Sequence, residues 1–92
     1  ILQEGKYMKG QHQGGETLLN LTDIIWFEKI DRAYYACLAN EKYRVRPTIT
    51  ELETLLPGTF VRINRAVIIN LAFLLNYSPW ENNKYVVRMK VP

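Results

Sequence analysis

Phe60-Val61-Arg62-Ile63-Asn64-Arg65-Ala66-Val67-Ile68-Ile69-Asn70-Leu71 is the stretch on which the fold turns. It can be read as part of a helix-turn-helix, with a first helix at Thr48–Leu56 and a second through Arg65–Asn76 that puts Ala66, Ile69, Asn70 and Phe73 on one face. It can also be read as strands, Phe60–Ile63 and Val67–Leu71, broken at Asn64-Arg65. The run Val67-Ile68-Ile69 decides between them. β-branched side chains lose χ1 freedom against the preceding helical turn but pack well on a pleated surface. The strand reading therefore wins.

Upstream of this stretch lies the one segment with helical spacing and proper punctuation. Pro47 ends a strand, and Thr48 with Glu51 three residues on matches a capping box. Ile49, Leu52, Leu55 and Leu56 then form an apolar stripe, and Pro57-Gly58 stops the element. A helix of about two turns is marginal alone, so it is expected to dock on a sheet.

Further upstream the pattern is that of short strands. Ile24–Ile30 and Ala33–Ala39 are separated by Asp31-Arg32, and Lys42–Arg46 comes after the turn Asn40-Glu41. The last of these alternates, with Tyr43 and Val45 facing one way and Lys42, Arg44 and Arg46 the other. Residues 1–15 read as a flexible N-terminal lead-in or a first strand near Lys6–Lys9, with Gly14-Gly15 as a turn, and Thr17–Leu21 as a short apolar segment. Downstream, Phe73-Leu74-Leu75 is apolar, Ser78–Asn83 is a turn, and Lys84–Val91 alternates, with Tyr85, Val87, Met89 and Val91 on one face. The fold class expected is mainly β, as an antiparallel meander, with one or two short helices.

Charge and composition narrow the function. Residues 57–92 carry Arg62, Arg65, Lys84, Arg88 and Lys90 against Glu81 alone, whereas residues 1–56 are close to neutral. A positive half favours an anionic partner. Cys37 is the only cysteine and His12 the only histidine, so neither a disulfide, a zinc site nor a histidine-based nucleophile pair is expected. Cys37 sits in the apolar run Tyr34–Leu38 and reads as a small buried hydrophobe. The acids are scattered, and no phosphate-cradling glycine loop or nucleophile elbow occurs. The expectation is a non-enzyme without metal or cofactor. No apolar run reaches membrane-spanning length and no signal peptide is evident, so a cytoplasmic location is expected.

Nucleic acid suits the remaining chemistry. Arg62, Asn64 and Arg65 carry groups that neutralise phosphate or read base edges, and Arg65 stands where the apolar run breaks. The competing reading pairs Arg62 and Arg65 with Glu51 or Glu53 on the helix. Lys29 and Arg32 put two cations at a hairpin tip, where solvation is the plain alternative. Trp26 reads as core, whereas Trp80 beside Pro79 is expected to be exposed.

The order of these pieces resembles the LytTR family of DNA-binding domains. It is carried by Asp23-Ile24-Ile25-Trp26-Phe27-Glu28, by Thr50–Pro57, and by Phe60–Leu71 with its phenylalanine–arginine run leading to an isoleucine–asparagine pair. The resemblance covers Leu18–Val91, within a domain set at 16–92. It implies elongated antiparallel sheets with short helices, and duplex DNA bound through loops in successive major grooves. It further implies pairing of two copies on direct repeats, fusion to a receiver domain in a two-component response regulator, and transcriptional control. By position, Asn64-Arg65 matches the contacting loop and Arg32 the early hairpin loop. Arg62 matches an arginine that supports the loop or touches phosphate, and Asn70 a structural asparagine that ties backbone near the loop. The family pattern continues past Lys90 to a further contact loop, whereas this sequence stops at Pro92, so a third base-reading element is expected to be missing. The rival class is a protein–protein interaction module that uses a basic β surface.

Overall fold

The computed structural model describes residues 6–91. Among these residues nine strands and one α-helix succeed one another: β1 (Tyr7–His12), β2 (Gly15–Asn20), β3 (Trp26–Ile30), β4 (Ala33–Cys37), β5 (Lys42–Val45), α1 (Ile49–Leu55), β6 (Phe60–Asn64), β7 (Val67–Asn70), β8 (Leu74–Pro79) and β9 (Tyr85–Met89). Short 3-10 turns at Leu21–Asp23 and Leu71–Phe73 make two of the joints. The decisive stretch is therefore a hairpin, and the helix-turn-helix alternative is set aside.

Seven strands form one antiparallel sheet in the order β2-β1-β5-β4-β3-β7-β6, while β8 and β9 form a separate ribbon. Only β3-β4-β5 is a meander. The hairpin β1–β2 joins it on one side and β6–β7 docks on β3 from the other. The molecule is elongated, 41 × 26 × 25 Å.

Turn chemistry reflects residue type. Gln13 and Gly14 both take positive φ (51° and 80°) in the two-residue turn between His12 and Gly15, which suits the twist of a tight hairpin. Asp31, at φ 56°, opens the turn between β3 and β4, a conformation that Asp tolerates better than most residues. Gly10 is required for a different reason: a Cβ there would come within 2.8 Å of the Tyr43 Cβ.

One face of the sheet makes the core. Phe27, Ile68, Ala36, Val45, Met8 and Leu19 pack there with Ile24, Leu21, Ile49 and Leu52, and all are buried. The capping box of α1 is complete: the Glu51 N–H donates to Thr48 Oγ1 at 3.1 Å, and the Thr48 N–H donates to Glu51 Oε1 at 2.9 Å. The helical stripe is narrower than its spacing predicts, because the helix ends at Leu55. Ile49 and Leu52 are buried, but Leu55 is half exposed. Trp26 is only half-buried, since it lies on the sheet face opposite the core. Among the described residues no helix is long and apolar enough to cross a membrane.

Candidate nucleic-acid interface

Register fixes which turns share an end of the sheet. β3 and β6 run toward that end, and β4 and β7 run away from it. The turn Asp31-Arg32 and the turn Arg65-Ala66 thus lie side by side, joined by a hydrogen bond from the Lys29 N–H to the Ala66 carbonyl at 2.8 Å. β5, antiparallel to β4, delivers Arg46 to the same end. Lys29, Arg32, Arg46 and Arg65 are all exposed there, and none has a carboxylate within 4.0 Å among the described residues.

The turn after β6 is built by its own side chains. Arg62 pairs with Ile68 and Asn64 with Val67, so Ile63 is an extra residue in the ladder. Such a bulge bends and twists the strand and re-aims the residues beyond it. Asn64 Oδ1 then accepts from the Ala66 N–H at 2.8 Å, a local bond that Asn side chains make readily in turns. Asn64 is exposed, and its amide NH₂ has no hydrogen-bond partner among the described residues.

Arg62 braces the turn from beneath. Its Nε donates to the Asn64 carbonyl at 3.1 Å, and its Nη2 to the Arg65 carbonyl at 3.0 Å. Its Nη1 donates to Thr50 Oγ1 and to Glu53 Oε1, both at 3.2 Å. One guanidinium thereby clamps the loop to α1, using the fixed donor fork that distinguishes Arg from Lys. The two roles open to this arginine are not equally served: its donors hold the loop. The helix carboxylate it takes is Glu53, whereas Glu51 is occupied by the capping box. Arg65 is left exposed at the rim.

Lys29 lies with Nζ 5.7 Å from the Tyr34 ring centroid, a cation–π contact that holds the amine beside the tip. Asn70 sits at the opposite end of β7 and is buried. Its Nδ2 donates to the Ile24 carbonyl at 2.9 Å, and its Oδ1 accepts from the Ala72 N–H at 3.0 Å. It ties down backbone, as its match implies. The backbone it secures is the joint into β3 and the 3-10 turn after β7, not the loop at Asn64-Arg65.

Two features are not read from the sequence. Arg44 and Arg46, which the sequence shows only as the outward face of β5, are exposed beside Arg32. Glu28 sits between Lys42 Nζ at 2.9 Å and the Cys37 thiol, which donates to it at 3.3 Å. Burial alone would raise the Glu28 carboxyl, but the bonds and charge of Lys42, with the Cys37 and Trp26 bonds, hold it below its usual value. Burial, with the adjacent Glu28 carboxylate, pushes the Cys37 thiol up to about 12, which suits a packed residue and not a reactive one. Among the described residues no three His, Cys, Asp or Glu side chains group as a metal site.

Residues 15–91 match the model of the LytTr DNA-binding domain family. The sensory transduction protein LytT of Bacillus anthracis is 31% identical over 74 residues, covering 79% of this chain and 30% of that protein. An uncharacterized HTH-type transcriptional regulator of Staphylococcus aureus is 32% identical over 57 residues, covering 62% of this chain and 39% of that one. The chain thus spans about a third of the length of these curated relatives. In structure, the LytTr DNA-binding domain of a Bacillus cereus protein described as a methyl-accepting/DNA response regulator superposes with a TM-score of 0.86 at 19% identity, covering 91% of this chain and 78% of that one. That likeness is one of fold. The family match extends over most of the chain, from the β1–β2 turn to the end of the described residues, and on it the chain belongs to the LytTr DNA-binding domain family.

Proposed function

We propose that this domain binds duplex DNA in a sequence-specific manner by presenting the Arg65 turn and the Asp31-Arg32 turn to the major groove, as the output element of a bacterial transcriptional regulator. The observation that carries the reading is the shared end of the sheet. Two tight turns, bonded to one another through Lys29 and Ala66, expose Arg65, Arg32 and Lys29 without a carboxylate partner among the described residues. Arg65 offers a planar fork suited to the O6/N7 edge of guanine, and the Asn64 amide can donate to a base or a phosphate. Arg32 and Lys29 supply phosphate neutralisation beside it. Arg62 acts through the turn that it braces.

The domain acts by binding and assigns no residue to catalysis. It works in the cytoplasm as part of a longer protein that carries a receiver domain, with two copies on direct repeats. The reading is supported by the family to which the chain belongs and by the names of its relatives.

Fluorescence anisotropy with a labelled duplex pool at several salt concentrations tests it, comparing wild type with Arg65→Glu. Wild-type affinity is expected to fall linearly in log salt, and the variant to lose binding while keeping its circular dichroism spectrum. A folded wild-type protein that ignores the pool at low salt would return the chain to the interaction-module reading.

A further inference from the structure

Lys42 and Arg44 share the outward face of β5, and Arg46 follows in the bend just past its end. Lys42 is spent on Glu28, but Arg44 and Arg46 are not paired with a carboxylate among the described residues. Register explains why. The cross-strand partners of Arg44 are Tyr35 on β4 and Gln11 on β1, both neutral. A cation placed between two neutral neighbours finds no internal counter-ion and must be neutralised by solvent or by a partner.

Two concavities flank this row. One, of about 530 Å³, is lined by Lys9, Arg44 and Arg46 together with Gln11 and Glu16. Glu16 is the single carboxylate on it, so three cations face one anion. The other, of about 340 Å³, is lined by Arg32, Arg44, Arg46, Gln11 and Tyr34. Arg32 belongs to the base-facing end proposed above, so the basic row is continuous with that end. It leads away from it along β5 toward β1.

We infer that Lys9, Arg44 and Arg46 form a phosphate-tracking strip, which holds the DNA backbone flanking the site read by the Arg65 and Arg32 turns. Arg44 lies on β5 and Arg46 two residues on, in the bend past its end, so their backbones are at most about 7 Å apart. They therefore address neighbouring points along a backbone and not one ion. Gln11 and Tyr35, the cross-strand neighbours of Arg44, add neutral polar groups of the kind that bond phosphate oxygens. Such contacts position the duplex and add affinity, but carry no sequence preference. This inference rests on the DNA-binding reading and extends its footprint to a face of the sheet outside the loops.

The test is the salt dependence of binding by Arg44→Gln/Arg46→Gln, beside wild type, Arg65→Gln and the charge-keeping Arg44→Lys/Arg46→Lys. The probes are a random duplex pool and the duplexes that wild-type protein selects from it. The Gln double variant is expected to lower the slope of log affinity against log salt by about 1.8, which is two phosphates at about 0.9 each. It should weaken both probes equally, whereas Arg65→Gln should weaken the selected duplexes most. The Lys double variant should keep the wild-type slope. A folded Gln double variant with the wild-type slope, beside an impaired Arg65→Gln, would overturn the strip and leave the loop reading intact. Wild-type protein that binds neither probe would overturn both. Thermal melting of each variant separates loss of contact from loss of fold, since these exposed side chains should move stability little.

Discussion

The β6–β7 hairpin and the β8–β9 hairpin are close in size and adjacent in sequence, yet the chain secures them by opposite means. The first is stitched into the seven-stranded sheet through β3. Its turn is closed by Asn64 and braced by four hydrogen bonds from Arg62, two to carbonyls of the turn and two to α1. The second is a ribbon of its own, with Leu75, Tyr77 and Tyr85 more than half exposed and Trp80 at its turn 68% exposed. Its internal contacts include Tyr77 against Tyr85 at 6.0 Å, and the Lys90 N–H donates back to the Phe73 carbonyl. A two-stranded ribbon is marginal without a face to pack on. The loop proposed to read DNA is thus rigid because side chains are committed to hold it, which lowers the ordering needed on binding.

The largest effect should come from removing the floor of the first hairpin. Phe27 is fully buried and meets Phe60 ring to ring at 5.6 Å, beneath β6. Phe27→Ala is expected to cost about 3–5 kcal/mol by urea unfolding. Next is Asn70→Ala, which strands the buried Ile24 carbonyl and the Ala72 N–H. Leaving such groups unpaired costs about 1–3 kcal/mol. Native-state hydrogen exchange should show the loss around β7 and the joint into β3, with the loop at Asn64-Arg65 less affected. A loss centred on that loop would contradict the placement of Asn70.

The main sheet also carries a titration signature, set by Cys37 and Glu28. The Cys37 thiol stands at about 12 in the fold against an ordinary value of 9.0. Its folded value is raised, so its contribution is complete below pH 9 and declines as pH rises toward 12. Unfolding free energy should fall there by about 1.4 kcal/mol per pH unit more steeply in wild type than in Cys37→Ala. Glu28 behaves in the opposite sense. Its folded value is lowered, so its contribution holds above the unfolded value and fades as pH falls through the acid range. Thiol reagents at neutral pH should label Cys37 only after urea is added.

Arg62→Met probes the contrast between the hairpins by freeing the loop while leaving β6 in place. The guanidinium is partly exposed and Glu53 more so, which screens the ion pair, so about 1 kcal/mol of stability is expected to go. Affinity for DNA should suffer more than stability does, because Arg65 loses its fixed mount. Equal losses in both would make Arg62 merely a fold residue.

These elements differ in how far the sequence alone reveals them. The β-branched run 67–69, the capping box at Thr48 and the hairpin turns are legible because propensity and capping are local. The two turns at one end of the sheet can each be suspected separately, but their adjacency comes from β3 pairing β7, a register no local pattern encodes. The role of Arg62 stays between two readings, since a sequence cannot say which carboxylate or carbonyl a long side chain reaches. Asn70 is assigned to the wrong joint for the same reason. Arg44 and Arg46 are visible as an outward face but not as a site. Only the cross-strand partners Tyr35 and Gln11 of Arg44 show why the row lacks counter-ions.

The smallest effect falls on the second hairpin. Trp80, Tyr77 and Tyr85 line an apolar groove of about 750 Å³ with Val61, Ile63 and Leu71 of the main sheet and its edge. They keep most of their surface in water, so the burial that Trp80→Ser could remove is small. Its cost should stay within about 0.5 kcal/mol, the range of surface substitutions. Hydrogen exchange in β8 and β9 should already be fast in wild type and change little, whereas β3 and β7 stay protected. A loss of about 2 kcal/mol or more on Trp80→Ser, above the roughly 0.5 expected at a surface site, would mean that the ribbon closes over the groove in solution. Both hairpins would then be anchored, and the contrast between a clamped loop and a loosely held ribbon would fail.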